Sequence, residues 1–363
     1  MRGEERKQEN LFHYFSVESR VPESHPLRRI RTLCDEALSR MSDVFDAMYS
    51  ETGRPSVPPE LLLKSTVLMA LYSVRSEALF CEQLDYNILF RWFLGMDMSM
   101  PSFDRTTFGK NRQRLLEHEV GKEFLGTLVQ MAKERRLLSD EHFTVDGTLI
   151  ESWASLKSFK RKDGSDKGDS NRFKPRNPDI DFHGEKRSNA THASTTDPES
   201  RLMKKGDGKE SRLAYGANAI TENRNGFVVG CEVVTGSGTF EYEGALRLVD
   251  EVRENGFLPR TIGADKAYHH QPFIGGLRSR GVIPHVAPML IRRIPGLDWR
   301  TLRHASYRVS QRKRKLIEQC FGFAKTVAGM RKSRLVGLAP TGFLLCMAFA
   351  TMNILRLAKL APS

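Results

Sequence analysis

The stretch His-Phe-Thr-Val-Asp-Gly-Thr-Leu-Ile, residues 142–150, marks the point where the pattern of the chain changes from helical to β-rich. Its aromatic and β-branched residues predict a strand, and Asp146 lies near the strand's end. Thr-Ile-Gly-Ala-Asp-Lys-Ala-Tyr, residues 261–268, has the same arrangement, with Asp265 following a short apolar run. Because the end of a buried strand rarely carries Asp without a reason, both carboxylates are candidates for function.

The segments after residue 142 predict a mixed α/β sheet with helices on its faces. Two strands, residues 212–221 and 226–234, are joined at Asn225-Gly226, a strong hairpin signal. They are followed by alternating helices and strands: a helix over residues 243–255, a strand over 259–264, a helix over 271–280, a strand over 281–286 and a long basic helix over about 307–327. The segment 157–212 holds 15 basic and 10 acidic residues and few large apolar ones, which predicts a polar insertion that is largely loop.

The residues before the sheet have helical spacing throughout. Residues 1–24 predict an extended lead-in, and apolar residues recur at helical intervals over residues 25–49. Pro58 and Pro59 suit the first turn of a second helix, and Thr106 is a plausible cap of a later one. The segment 117–138 closes this region. Residues 25–138 therefore predict a compact all-α domain ahead of a second domain, residues 139–363.

The formal net charge of +13 over 363 residues is unusually basic. Such a surface favours polyanions, with nucleic acid first and an anionic membrane second. The alternative is a highly soluble basic protein without a polyanionic partner. The apolar stretch 343–357 is shorter than the roughly 20 residues that cross a bilayer, which predicts a buried core helix and no membrane span.

The termini and cysteines favour a cytoplasmic protein. The first ten residues are too charged for a secretory signal. The five cysteines are far apart, odd in number and without the close spacing of a zinc site, as expected of buried thiols in a reducing compartment.

Three carboxylates, Asp146, Asp265 and Glu318, beside strong positive charge suit divalent metal ions acting on a phosphodiester. Hard ions such as Mg²⁺ take oxygen ligands, and carboxylates at strand ends can hold two of them. In this hypothesis Asp146 bridges two ions, and Asp265 and Glu318 each hold one. The alternative for any single acidic residue, among 44, is surface solvation.

Glu318 lies in the most basic part of the chain. Arg314 precedes it by four residues and Lys325 follows it by seven, which places the three on about one side of a helix. Residues 291–335 contain thirteen Lys or Arg residues and two acidic ones, so contacts with phosphates and salt-sensitive binding are expected there. The alternative for Arg314 and Glu318 is an ordinary surface ion pair, which stabilises a helix by only a few tenths of a kcal/mol.

A helix-turn-helix over about residues 60–115 would supply a second DNA contact. Its DNA-facing helix would carry Arg105, Lys110 and Arg112. Three-helix units with basic faces are common, so an ordinary helical bundle is an equal alternative.

Several other residues compete with these candidates and rank below them. His269-His270 could bind a metal, but adjacent side chains on a strand point apart. Trp153 could stack on a base or support the core, and Asp197 and Glu199 flank a proline that favours a turn.

The chain resembles the bacterial insertion-sequence transposases of the DDE class. Arg314, Glu318 and Lys325 match the spacing of the Arg-Glu-Lys part of the Tyr-Arg-Glu-Lys signature found in one branch. The signature's Tyr position is held by Gln311, and Tyr307 lies one turn further back. Further resembling stretches are residues 53–63, 82–93 and 181–199.

This resemblance implies a helical N-terminal region followed by a ribonuclease-H-like catalytic core with Asp146, Asp265 and Glu318 as catalytic and metal-binding residues. It implies two Mg²⁺ or Mn²⁺ ions per site, cleavage at terminal inverted repeats and joining of the 3′-OH ends to target DNA. It also implies a homodimer in the synaptic complex, in a bacterial cytoplasm and associated with the nucleoid. Arg314, Lys325, Lys313 and Lys315 are the expected DNA contacts in this core. The rival functions are a nuclease of the same fold that never joins DNA, and an inactive DNA-binding regulator.

Overall fold

The computed structural model describes residues 16–49, 52, 56–163, 187–206, 208–289 and 294–360. The helices in these residues are α1 Val17–Arg20, α2 Pro26–Ser39, α3 Ser42–Met48, α4 Pro59–Leu71, α5 Glu77–Tyr86, α6 Ile88–Leu94, α7 Arg105–Glu117, α8 Val120–Glu134, α9 Phe240–Glu254, α10 Gln271–Ser279, α11 Trp299–Arg303, α12 Ala305–Lys313, α13 Lys315–Thr326 and α14 Leu338–Leu360. The strands are β1 His142–Glu151, β2 Phe159–Arg161, β3 His192–Ser194, β4 Arg201–Lys204, β5 Ser211–Glu222, β6 Val228–Thr235, β7 Thr261–Ala264 and β8 Ile283–Val286.

The central sheet is mixed, as the sequence predicts. β1 pairs antiparallel with β5, which also pairs antiparallel with β4 and β6. On its other side β1 pairs parallel with β7, and β7 pairs parallel with β8. The predicted hairpin is confirmed at Asn225-Gly226, where Gly226 has a φ of +76° that favours glycine.

Helices cover the sheet and extend beyond it. α9 packs on β1, β5 and β6, and α10 packs on α9 and β8. α12 lies against β7, and α13 lies against β1 and β5. Gly263 in β7 allows the close approach of α12, because a Cβ there would lie 3.0 Å from the Ser310 Oγ.

The N-terminal helices are joined to the sheet through α14. This helix packs against α2, α4 and α8 on one side and against β6 and α13 on the other. One hydrophobic core consequently runs from the N-terminal helices into β5 and β6. α14 is longer than the expected 15 residues, and by length and composition alone it would be a candidate membrane span. In the structure most of it is buried, because it fills the space between the helical region and the sheet.

Four expectations about the helices and loops were wrong in detail. The long basic helix is interrupted at Arg314 and forms α12 and α13, and residues 25–49 form two helices, α2 and α3. α7 is capped by Asp104, whose carboxylate accepts the Thr106 N–H at 2.7 Å, and Thr106 is inside the helix. The polar insertion contains β2, β3 and β4, while its residues 164–186 and 207 lie outside the described part of the chain. Residues 1–15 of the lead-in, and parts of the resembling stretches 53–63 and 181–199, also lie outside it.

Candidate active site

The register of the parallel strands places Asp146 and Asp265 side by side. Thr144 of β1 is paired with Gly263 of β7. Each aspartate lies two residues further along the chain, so both occupy the same level, just beyond the last pairing of β1 with β7. Asp146 was expected near the end of its strand, but β1 continues to Glu151. Asp265 follows β7 directly and caps a short 3-10 helix, Lys266–Tyr268, by accepting the Ala267 N–H at 2.7 Å. The prediction that these two carboxylates converge agrees with this arrangement.

Asp146 lies in an environment that disfavours its charge. Burial raises its pKa from 3.8 to about 7, and the nearby charges of Asp265 and Glu241 act in the same direction. The Gly147 N–H, which donates to Asp146 at 2.9 Å, and the Arg314 guanidinium act in the opposite direction. These two opposing interactions therefore do not compensate the cost of burying the negative charge. A bound cation would offset that cost.

Glu318 and Lys325 lie on α13, on the face of the sheet that carries Asp146. The Lys325 ammonium donates to the Thr148 hydroxyl, two residues beyond Asp146 on the same face of β1. Arg314 lies at the junction of the two helices, and its Nη1 is 3.8 Å from the Glu318 Oε1. Gln311 donates from its amide to the backbone oxygens of His285 and, at 3.4 Å, Ala264. These contacts fix the helices against β1 and at the ends of β7 and β8.

Glu318 is the outermost of the three candidate carboxylates. Its side chain is 58% exposed and is paired with Arg314. Within the described residues, no group of three His, Cys, Asp or Glu side chains lies close enough together to hold one metal ion. The structure thus brings Asp146 and Asp265 together, with Arg314 between this pair and Glu318. Lys313 and Lys315, on either side of Arg314, are exposed.

Two residues that sequence analysis did not select border the same site. Glu241, in the first turn of α9, packs with its side chain over Gly147, and its pKa is raised by burial and by the charge of Asp265. Tyr268 is 1% exposed, and its hydroxyl has no hydrogen-bond partner among the residues that the structure describes. Burial and the charges of Asp146, Glu241 and Asp265 raise the pKa of this tyrosine. Glu241 was missed because the helix was expected to begin at residue 243.

The basic residues of α7 differ in their surroundings. Arg105 and Lys110 are exposed, as a role in DNA binding requires. Arg112 points inward instead: its side chain is 15% exposed and forms an ion pair with Glu77 of α5. Burial lowers its pKa. The expectation that Arg112 faces DNA was therefore wrong, because the helix turns this position toward α5.

The lower-ranked acidic residues have structural partners. Asp197 is fully buried and accepts hydrogen bonds from the hydroxyls of Ser152, at 2.6 Å, and Tyr215. Glu199 accepts the Leu338 N–H at 2.9 Å, at the start of α14. Both residues tie the insertion to the ends of neighbouring elements and lie apart from the pair of Asp146 and Asp265.

The aromatic and histidine candidates lie in different surroundings. Trp153 is 57% exposed, with the Lys332 ammonium 5.4 Å from its ring centre, so it is not a core residue. His269 is 2% exposed, and its Nδ1 accepts the Met289 N–H at 3.4 Å. The ring of His270 lies beside Tyr242.

Two family models match neighbouring parts of the chain. Residues 15–114 match a transposase domain (DUF772), and residues 183–354 match a transposase DDE domain. Asp265 and Glu318 lie within the second match, and Asp146 lies between the two.

Comparison with solved structures gave two transposases, both at 11% sequence identity. One is the piggyBac transposase in a synaptic complex with hairpin DNA, which covers 91% of this chain and 74% of its own with a TM-score of 0.41. The other is the Mos1 transposase in a paired-end complex with the left transposon end, with 77% and 81% covered and a TM-score of 0.20. A comparison with curated proteins gave no match. Because the two family models together span most of its length, the chain belongs to the insertion-sequence DDE transposases, which are DNA transposases that cleave and join strands.

Proposed function

We propose that this transposase uses Asp146, Asp265 and Glu318 to hold two Mg²⁺ or Mn²⁺ ions, and that it cuts and joins DNA at the terminal inverted repeats of its element. The observation that carries the proposal is that Asp146, in the middle of β1, and Asp265, directly after β7, lie at the same level of two adjacent parallel strands. DDE transposases generally use divalent metals. The raised pKa of Asp146 fits such an ion, because a buried carboxylate beside a second carboxylate is uncompensated negative charge.

The catalytic core fits a ribonuclease-H-like fold. Its sheet has antiparallel strands β6, β5 and β1, followed by parallel strands β7 and β8 that are each preceded by a helix. Acidic residues at the edge of such a sheet hold hard cations through oxygen ligands. Bound there, two divalent ions would activate the attacking oxygen and stabilise the leaving one.

The residues of this chain then have distinct roles. Asp146 and Asp265 would be ligands of the metal ions. Glu318 would become a third carboxylate ligand once its side chain turns away from Arg314. Arg314 lies between Asp146 and Glu318, where its charge would meet a DNA phosphate. Lys325, fixed by Thr148 beside Asp146, would place a second cation next to the reacting strand.

Double-stranded DNA would cross this edge of the sheet. Lys313 and Lys315 are exposed on the same helices and would follow its backbone, as phosphate contacts that set position and not sequence. On the N-terminal helices, Arg105 and Lys110 remain the candidates for contacting the terminal repeats. A homodimer would pair two transposon ends in the synaptic complex, in a bacterial cytoplasm close to the nucleoid.

The test is a cleavage and joining assay with Mg²⁺ and DNA that carries the element's own ends. Asp146→Asn, Asp265→Asn and Glu318→Gln should each abolish cleavage while DNA binding survives. Glu254→Gln, an exposed change at the end of α9, should act as wild type. Wild-type cleavage by any of the three variants would remove that residue from the site. Cleavage without joined products would identify a nuclease, and binding without cleavage by the unaltered protein would identify a regulator.

A further inference from the structure

Glu241 faces the candidate site from the side of the sheet opposite α13. It lies in the first turn of α9, which crosses β1, β5 and β6. Its side chain occupies the space above Gly147: a Cβ at Gly147 would lie 2.7 Å from the Glu241 Cγ. Gly147 follows Asp146 directly, and successive side chains of a strand point to opposite faces, so Glu241 lies across β1 from the Asp146 side chain. Glu241 is still close enough for its charge to act on Asp146 and for the charge of Asp265 to act on Glu241.

Tyr268 supplies an independent observation at the same place. This side chain is almost fully buried, and within the described part of the chain its hydroxyl has no hydrogen-bond partner. Buried hydroxyls are nearly always paired, because an unpaired one loses its bonds to water without replacement. The charged groups that act on this hydroxyl are Asp146, Glu241 and Asp265. An unpaired donor among three carboxylates indicates that a ligand of the site completes its hydrogen bonds.

We propose that Glu241 is a further carboxylate of the metal site, acting with Asp146 and Asp265 on the waters that surround a bound divalent ion, and that the Tyr268 hydroxyl binds one of these waters. The inference rests on the proposed metal-dependent function. Mg²⁺ keeps several of its waters in protein sites, so a carboxylate beyond direct contact still binds the ion's shell. Groups at this distance typically change metal affinity 10- to 100-fold when they are removed.

A helix-stabilising role is the alternative for Glu241, because an acidic residue in the first turn of a helix is favourable. Glu243 lies in the same turn and is exposed, so it shares that role without facing the site. Glu243→Gln is therefore the matched control.

The experiment measures Mn²⁺ binding to the full chain by titration calorimetry, without DNA, for the wild type, Glu241→Gln, Glu243→Gln and Asp146→Asn. We expect Glu241→Gln to weaken Mn²⁺ binding about 10-fold or more, with an unfolding midpoint in EDTA no lower than that of the wild type. Glu243→Gln should bind Mn²⁺ as the wild type does. Tyr268→Phe, which removes only the unpaired hydroxyl, should also weaken binding, and it carries the test if Glu241→Gln does not fold.

The outcomes separate this inference from the proposed function. Loss of Mn²⁺ binding in Asp146→Asn, with wild-type binding in Glu241→Gln and Tyr268→Phe, would overturn the role of Glu241 and leave the proposed site intact. Wild-type binding in Asp146→Asn as well would mean that the proposed metal site itself is wrong. Equal destabilisation by Glu241→Gln and Glu243→Gln in EDTA, without a change in affinity, would assign Glu241 to the helix end alone.

Discussion

Removing the charge of Asp146 should stabilise the metal-free protein. The pKa of this carboxyl rises from 3.8 to about 7 on folding, first through burial and then through the charge of Asp265. Each pKa unit corresponds to about 1.4 kcal/mol, so ionisation above pH 7 costs the folded state about 4 kcal/mol. Asp146→Asn keeps the shape of the side chain and removes this cost. With about 2.1 cal/mol/K of unfolding entropy per residue, 4 kcal/mol correspond to a rise in Tm of about 5 °C for this chain.

The pH dependence gives the sign of the effect. Between pH 3.8 and 7 the folded protein holds a proton at Asp146 that the unfolded chain has released. This carboxyl therefore lowers stability progressively as the pH rises through that window, and its cost is complete only above pH 7. At pH 5 the cost is only about 2 kcal/mol, so the gain from Asp146→Asn should shrink to about 2 °C.

The assay is thermal unfolding in EDTA at pH 5 and pH 8, followed by circular dichroism, with Glu254→Gln as an exposed control. Mn²⁺ at 1,000 times its Kd should abolish the advantage of Asp146→Asn at pH 8, because an ion that binds only the folded wild type then stabilises it by about 4.1 kcal/mol. A lower Tm of Asp146→Asn in EDTA at pH 8 would refute the reasoning. An equal gain at both pH values would do the same, since no titration would then be linked to folding.

Other substitutions test the neighbouring assignments. Arg112→Met should cost about 1–3 kcal/mol of stability by leaving Glu77 unpaired, measured by urea unfolding, and should leave the salt dependence of DNA binding unchanged. Lys110→Gln should instead make the negative slope of log K for DNA binding against log salt concentration less steep by about 1, with stability unchanged. Asp197→Ala should cost on the order of 3 kcal/mol, because it strands two buried hydroxyls; a stable but inactive variant would contradict this structural role. Lys325→Gln should reduce cleavage of bound DNA more than binding, which single-turnover kinetics and filter binding together would show.

Much of the fold follows from local pattern. The runs at residues 142–150 and 261–264 are strands because β-branched and aromatic residues alternate with small ones there, and Asn225-Gly226 fixes the hairpin between β5 and β6. The interruption of the basic helix at Arg314 has no local signal, since the flanking residues are good helix formers. The role of α14 was also beyond local pattern. Its apolar composition shows that it is buried, but not that it lies between the N-terminal helices and β6.

Some residues of the candidate site could likewise be predicted from local sequence pattern, and others could not. The position of Asp265 could be predicted from sequence because it follows a short apolar run, whereas Asp146 was expected near the end of its strand and lies in the middle of β1. Glu241 could not, because its approach depends on the absence of a side chain at Gly147 and on the angle at which α9 crosses the sheet. Arg112 and Lys110 are two residues apart on one helix. Their opposite environments depend on how α7 is rotated against α5, which composition does not determine.

Gln311 shows how the site can form without the tyrosine of the Tyr-Arg-Glu-Lys signature. Its amide donates to the backbone at the ends of β7 and β8, next to Asp265. On the other side, Lys325 is fixed to Thr148 of β1, two residues beyond Asp146. The helices are thus attached to β1 beside Asp146 and to the end of β7 beside Asp265, and Arg314 lies between these attachments. Glu318 is one turn beyond Arg314 and pairs with it, so the same attachments set the position of Glu318 relative to the sheet.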